Sequence, residues 1–76
     1  MKLTALTNVG RMGRLPKGKI VKGTWNDIYK ELDASFCNGC MLERVKGTNH
    51  WKVFAGYGSH VADIELEGTK EELAKL

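Results

Sequence analysis

Residues 43–66 read Glu43-Arg-Val-Lys-Gly-Thr-Asn-His-Trp-Lys-Val-Phe-Ala-Gly-Tyr-Gly-Ser-His-Val-Ala-Asp-Ile-Glu-Leu66. Two alternating runs stand here between glycine-containing turns. Trp51, Val53 and Ala55 fall on one side of the first run, and Ala62, Ile64 and Leu66 share a side in the second, with Val61, Asp63 and Glu65 opposite. A period of two is the signature of a half-buried strand, and the short connections Gly47–His50 and Gly56–Ser59 favour antiparallel neighbours. Cys40–Lys46 supplies a strand before them. The stretch therefore predicts a three-stranded antiparallel meander.

Working outward, Trp25, Ile28, Tyr29 and Leu32 recur at i, i+3, i+4 and i+7, which gathers them on one face of a helix as candidate core residues. Thr24 is placed to cap that helix, with Asp27 three residues on near its free amide end. Asn38-Gly39 is a turn dipeptide. Thr69-Lys70-Glu71-Glu72 has the form of a capping box ahead of Leu73 and Leu76, so a short second helix begins there. Towards the N-terminus, Leu3, Ala5, Thr7 and Val9 alternate with Lys2, Thr4, Leu6 and Asn8, and Lys19–Lys22 offers a returning strand. Gly10, Gly13, Pro16 and Gly18 punctuate the loop between them. The expected fold is α+β: one domain over 1–76, with a strand or hairpin and basic loop (1–22) preceding a helix, three-strand, helix core (23–76).

A chain of 76 residues buries only about 60% of its unfolded surface. A homo-oligomer or another partner is an expected source of added stability. No apolar run approaches the roughly 18 residues of a membrane span, and Met1–Lys22 lacks the apolar centre of a signal peptide. No membrane partner and a cytoplasmic location are expected.

The formal net charge of +3 is unevenly spread. Lys2, Arg11, Arg14, Lys17, Lys19 and Lys22 precede the first acid, Asp27, whereas Asp63–Leu76 carries five acids against Lys70 and Lys75. A concentrated positive field attracts RNA phosphates or an acidic protein surface over a Debye length of roughly 8 Å. A solvated arm that aids solubility has the same composition.

Cys37 and Cys40 have the spacing of a zinc half-site or a redox pair. His50 and His60 begin successive strands and would lie roughly 20 Å apart at about 3.3 Å per residue. One metal with bonds near 2 Å cannot hold both. The thiols follow a helix rather than open one, the wrong end for lowering a thiol pKa. Ordinary reduced thiols are the favoured reading, with a metal shared between chains and redox chemistry as alternatives; no cofactor or metal is assigned.

His50 is the candidate catalytic residue. An imidazole that titrates near neutrality can take the 2′-hydroxyl proton of RNA and direct that oxygen onto the adjacent phosphorus without a metal. Arg44, Lys46 and Lys52 flank the turn and would supply charge at the phosphate if their strands aim them at one side. A turn histidine on an exposed edge needs no such role. His60 ranks second, because Asp63 and Glu65 follow it and would repel a phosphate. Trp25 and Tyr29 are read as core packing.

Gly47-Thr48-Asn49-His50 followed by Trp51-Lys52-Val53, after an amphipathic helix and before a further strand, resembles the HicA family of bacterial and phage toxins. The resemblance covers roughly Thr24–Leu73. It implies a fold like a double-stranded-RNA-binding domain, messenger-RNA cleavage with His50 as the catalytic group, Gly47, Thr48 and Asn49 as the residues shaping its turn, and an antitoxin partner. The leading expectation is a small RNA-binding protein, with ribonuclease activity at His50 and a phosphate-gripping surface of Arg11, Arg14, Lys17, Lys19, Arg44, Lys46 and Lys52. The rival is a non-catalytic protein-interaction module, such as a small phage-encoded inhibitor of a host protein.

Overall fold

The computed structural model describes residues 1–10, 14–35 and 40–74. Its elements run β1 (Lys2–Ala5), β2 (Ile20–Lys22), α1 (Trp25–Ser35), β3 (Cys40–Arg44), β4 (His50–Ala55), β5 (His60–Glu67) and α2 (Lys70–Ala74). The α+β class and the helix, three-strand, helix order after Thr24 are as expected. The extent of the sheet is not.

One five-stranded antiparallel sheet has the order β2-β1-β5-β4-β3, in place of the expected three-stranded one. The N-terminal hairpin is built into it. Leu3 sits in register with Leu66 and Ala5 with Ile64, so β1 continues the apolar row of β5. That row extends through Trp51 beside Ile64, Val53 beside Ala62 and Leu42 beside Val53. Pairing β1 with β5 buries Leu3 and Ala5 almost completely. An unpaired β1 would leave Leu3 wet, at a cost of about 1.5–3 kcal/mol for that side chain alone.

Helix α1 lies on this apolar face, with Ile28 and Leu32 fully buried. Val9 and Leu15, joined by an isolated bridge in the β1–β2 connection, complete the core from the loop. Trp25 packs against the core from its edge, whereas Tyr29 is 37% exposed, so the expectation of Tyr29 as a core residue is corrected. The outer member of the four-position stripe leans instead against Trp25, with ring centroids 5.7 Å apart and ring planes tilted by 56°. The indole N–H of Trp51 is buried with no acceptor among the described residues. That costs about 1–3 kcal/mol against the gain from burying the ring.

The caps form as the sequence implies. Thr24 Oγ1 accepts the Asp27 amide at 3.2 Å while Asp27 Oδ2 accepts the Thr24 amide at 3.0 Å. At α2, Thr69 Oγ1 accepts the Glu72 amide at 3.2 Å and Glu72 Oε1 accepts the Thr69 amide at 2.9 Å. A bulge between Val53 and Phe54 moves the β4–β5 register, placing Phe54 opposite His60. Val61 thereby turns from the polar row, where alternation assigns it, and packs against the core.

Candidate functional site

The turn before β4 is held by short-range bonds. The Thr48 amide and hydroxyl both donate to the Val45 carbonyl, at 3.1 and 2.8 Å, and the His50 amide donates back to Thr48 Oγ1 at 3.1 Å. Gly47 has φ +79°, a left-handed conformation that glycine adopts without a Cβ penalty. Thr48 thus ties both sides of the turn, and β4 begins at His50 with its side chain on the open face of the sheet.

On that face His50 meets Glu65. The two residues are directly opposed in the β4–β5 ladder. Leu66 N–H bonds the Asn49 carbonyl at 2.9 Å, so the next pair along, His50 and Glu65, is of the non-hydrogen-bonded kind, in which side chains approach most closely. Nε2 lies 3.5 Å from Glu65 Oε2, with the imidazole about half exposed. The sequence places Glu65 downstream of His60; antiparallel pairing delivers it to His50 instead.

The cations expected around His50 do not converge on it. Arg44 is in register with buried Trp51 and so belongs to the opposite face. Its guanidinium lies 6.0 Å from the Trp51 ring centroid, and its Nε donates to the Thr48 carbonyl at 2.8 Å, bracing the turn from behind. Lys52 shares the His50 face but stands between Asp63 on β5 and Glu43 on β3. Lys46 is exposed in the turn itself. Along β5, Asp63, Glu65 and Glu67 make an acidic row down the middle of the open face, and Lys2 pairs with Glu67 at 3.2 Å. A phosphate 4 Å from any one of these carboxylates is repelled by about 1 kcal/mol even with the screening of bulk water.

His60 makes a separate arrangement. Its Nε2 is 2.9 Å from Asp63 Oδ1 and 3.1 Å from the Ala62 carbonyl, and its ring lies 5.5 Å from that of Phe54. Since His60 pairs with Phe54, it stands four residues along β4 from His50, about 13 Å at 3.3 Å per residue. The bulge shortens the separation by one residue, about 3.3 Å, and the paired segment between the two histidines is itself shorter than the roughly seven residues expected, yet the two rings are still too far apart for one metal. Among the described residues no group of three or more metal-ligating side chains forms. Cys37 lies outside the described residues, and Cys40 opens β3.

The remaining basic residues are strung along the β1–β2 hairpin, Lys17 in its turn, Lys19 at the entry to β2, and Lys22 at the far end opposite Lys2. Lys17, Lys19 and Lys22 are exposed there and form no ion pair among the described residues. The Lys17 amide donates to Asn8 Oδ1 at 2.9 Å, which fixes the backbone under its side chain. Arg14 is 3.6 Å from Glu31 of α1, linking the loop to the helix. Arg11 lies outside the described residues. The signal missed in the sequence is Ile20, 47% exposed between Lys19 and Lys22 on the outermost strand; an apolar residue within a basic run marks such a surface.

No protein-family model, curated protein or solved structure matches the chain. Among the described residues no helix is long and apolar enough to cross a membrane.

Proposed function

We propose that this chain is a non-catalytic interaction module that docks on an acidic protein surface. The observation that carries the reading is the separation of its charges. His50 stands beside Glu65 in an acidic row, while exposed Lys19 and Lys22 line one groove with exposed Ile20, and exposed Lys17 precedes them in the hairpin turn. A phosphate backbone has no use for an exposed isoleucine, whereas a protein partner buries it and meets the lysines at the rim.

A second reading keeps the same lysines as an RNA-binding surface and His50 as a metal-independent ribonuclease centre. It is supported by the Gly47-Thr48-Asn49-His50 turn, which is rigidly built, and by the order of elements after Thr24, both features of the HicA resemblance. Glu65 weighs against it on electrostatic grounds.

One set of measurements separates the two. Labelled oligoglutamate and labelled single-stranded RNA are each titrated with the wild-type protein, His50→Ala, and a variant with Lys17, Lys19 and Lys22 changed to Glu; RNA integrity is followed in chelator. The module reading expects oligoglutamate binding that survives His50→Ala, disappears in the charge-reversed variant, and is accompanied by intact RNA. RNA cleavage by the wild type that His50→Ala abolishes would overturn it.

A further inference from the structure

The outer edge of β2 is a row of unused backbone groups. Met1 and Gly23 exchange both main-chain bonds, at 2.9 and 3.1 Å, and the Ala5 amide donates to the Lys19 carbonyl at 2.9 Å. Bonded and non-bonded pairs alternate in an antiparallel ladder, so Leu3–Val21 is bonded, while Lys2–Lys22 and Thr4–Ile20 are not. The N–H and C=O of Ile20 and Lys22 therefore point away from β1. Among the described residues nothing pairs with them. Beside this edge runs a groove of about 540 Å³ lined by Arg14, Leu15, Lys19, Ile20, Val21, Lys22 and Glu31.

We propose that the β2 edge accepts an extended acidic segment of a partner protein as a sixth strand. The proposal rests on the interaction-module reading and gives it a site and a binding mode. Strand addition draws its affinity from main-chain bonds and its selectivity from the side chains that flank them. Here the flanking charge is positive: Lys19 and Lys22 border the edge, and the acid of the groove, Glu31, faces Arg14. A second copy of the chain bringing its own β2 would set these lysines against each other, as edge lysines do wherever they suppress self-pairing. An acidic strand meets attraction instead of repulsion. Its alternate side chains fall beside Ile20 on the open face and towards the groove, so a segment alternating acidic and apolar residues fits both.

The probe is an acetylated peptide of alternating Glu and Val about eight residues long, an ordinary strand length, titrated into the full-length protein with amide exchange read by NMR. Binding should slow exchange at the Ile20 and Lys22 amides about tenfold and leave the Val21 amide, already bonded to Leu3, little changed. Lys19→Glu with Lys22→Glu, both on exposed side chains, should weaken the peptide about tenfold while the remaining amides keep their exchange rates. Peptide binding with Ile20 and Lys22 unaffected overturns the edge site and leaves the module reading standing. Failure to bind either this peptide or oligoglutamate removes both. Pairing of two copies through β2 without peptide, or occupation of this edge by RNA and not by peptide, also overturns the proposal.

Discussion

Gly23 joins the sheet to the first helix in a conformation that side chains resist. Its φ is +151°, and a Cβ there would lie 2.8 Å from Asp27 Oδ2 and 3.0 Å from Asp27 Cβ. The atoms it would strike are those that cap α1, since Asp27 Oδ2 takes both the amide and the hydroxyl of Thr24. Gly23→Ala should therefore cost the backbone strain and part of the cap, about 2–3 kcal/mol. Gly18→Ala, at φ +90° with nothing within 4 Å, should cost only the strain, about 1 kcal/mol. Urea unfolding of both variants checks this, and equal losses would remove the role given to Asp27. At this scale the sequence is readable wherever a side chain acts within a turn of its own position, as Thr24, Asp27, Thr69 and Glu72 do. Glu65 was unreadable for the opposite reason. It stands fifteen positions from His50 in the chain, and only the register of β4 against β5 reveals that the two belong together.

The two capping boxes also give the helices a common dependence on pH. Hydrogen bonding from the Thr24 amide, then from the Thr24 hydroxyl, holds the Asp27 carboxyl below its ordinary value. Glu72 is likewise held low, first by the Thr69 amide and then by the chain's amino group, 3.4 Å away. A carboxylate with a depressed folded-state pKa binds protons more readily in the unfolded chain. Its contribution is therefore complete above the ordinary carboxylate range near pH 4 and is lost as pH falls through the lowered folded value. Thermal unfolding should show a steady melting temperature from about pH 6 to about pH 5 and a decline below about pH 4, smaller in the Asp27→Asn, Glu72→Gln double variant. An unchanged decline would assign the acid sensitivity to other carboxylates. The elements after Thr24 were legible because their signals are local: a stripe at helical spacing, alternation, glycine at turns. Tyr29 and Val61 departed from their assigned environments where packing intervened, Tyr29 in its contact with Trp25 and Val61 at the bulge beside Phe54.

Across the whole molecule, the place of β1 was the part of the fold that local patterns could not supply. Alternation identifies a strand but carries no address for its partner, and β1 finds β5 about sixty residues away, with Lys2 against Glu67 and Leu3 against Leu66. The match becomes intelligible once both strands are seen to need the same cover: Leu3, Ala5, Leu66 and Ile64 form one apolar row beneath Ile28 and Leu32 of α1. A fragment comprising 23–76 keeps the helix, meander and second helix, yet it loses Leu3, Ala5, Val9 and Leu15 from the core and leaves the long β5 as a bare edge. Each buried leucine alone is worth about 1.5–3 kcal/mol, and a domain of this size is stable by about 4–11 kcal/mol in all. Losing the two leucines and Val9 removes most of that margin before the β1–β5 main-chain bonds are considered. The fragment should therefore lack a cooperative thermal transition by circular dichroism, and adding a peptide of residues 1–22 should restore one. A cooperative transition in the fragment alone would show that the three-stranded meander suffices and that the N-terminal hairpin is an addition to it.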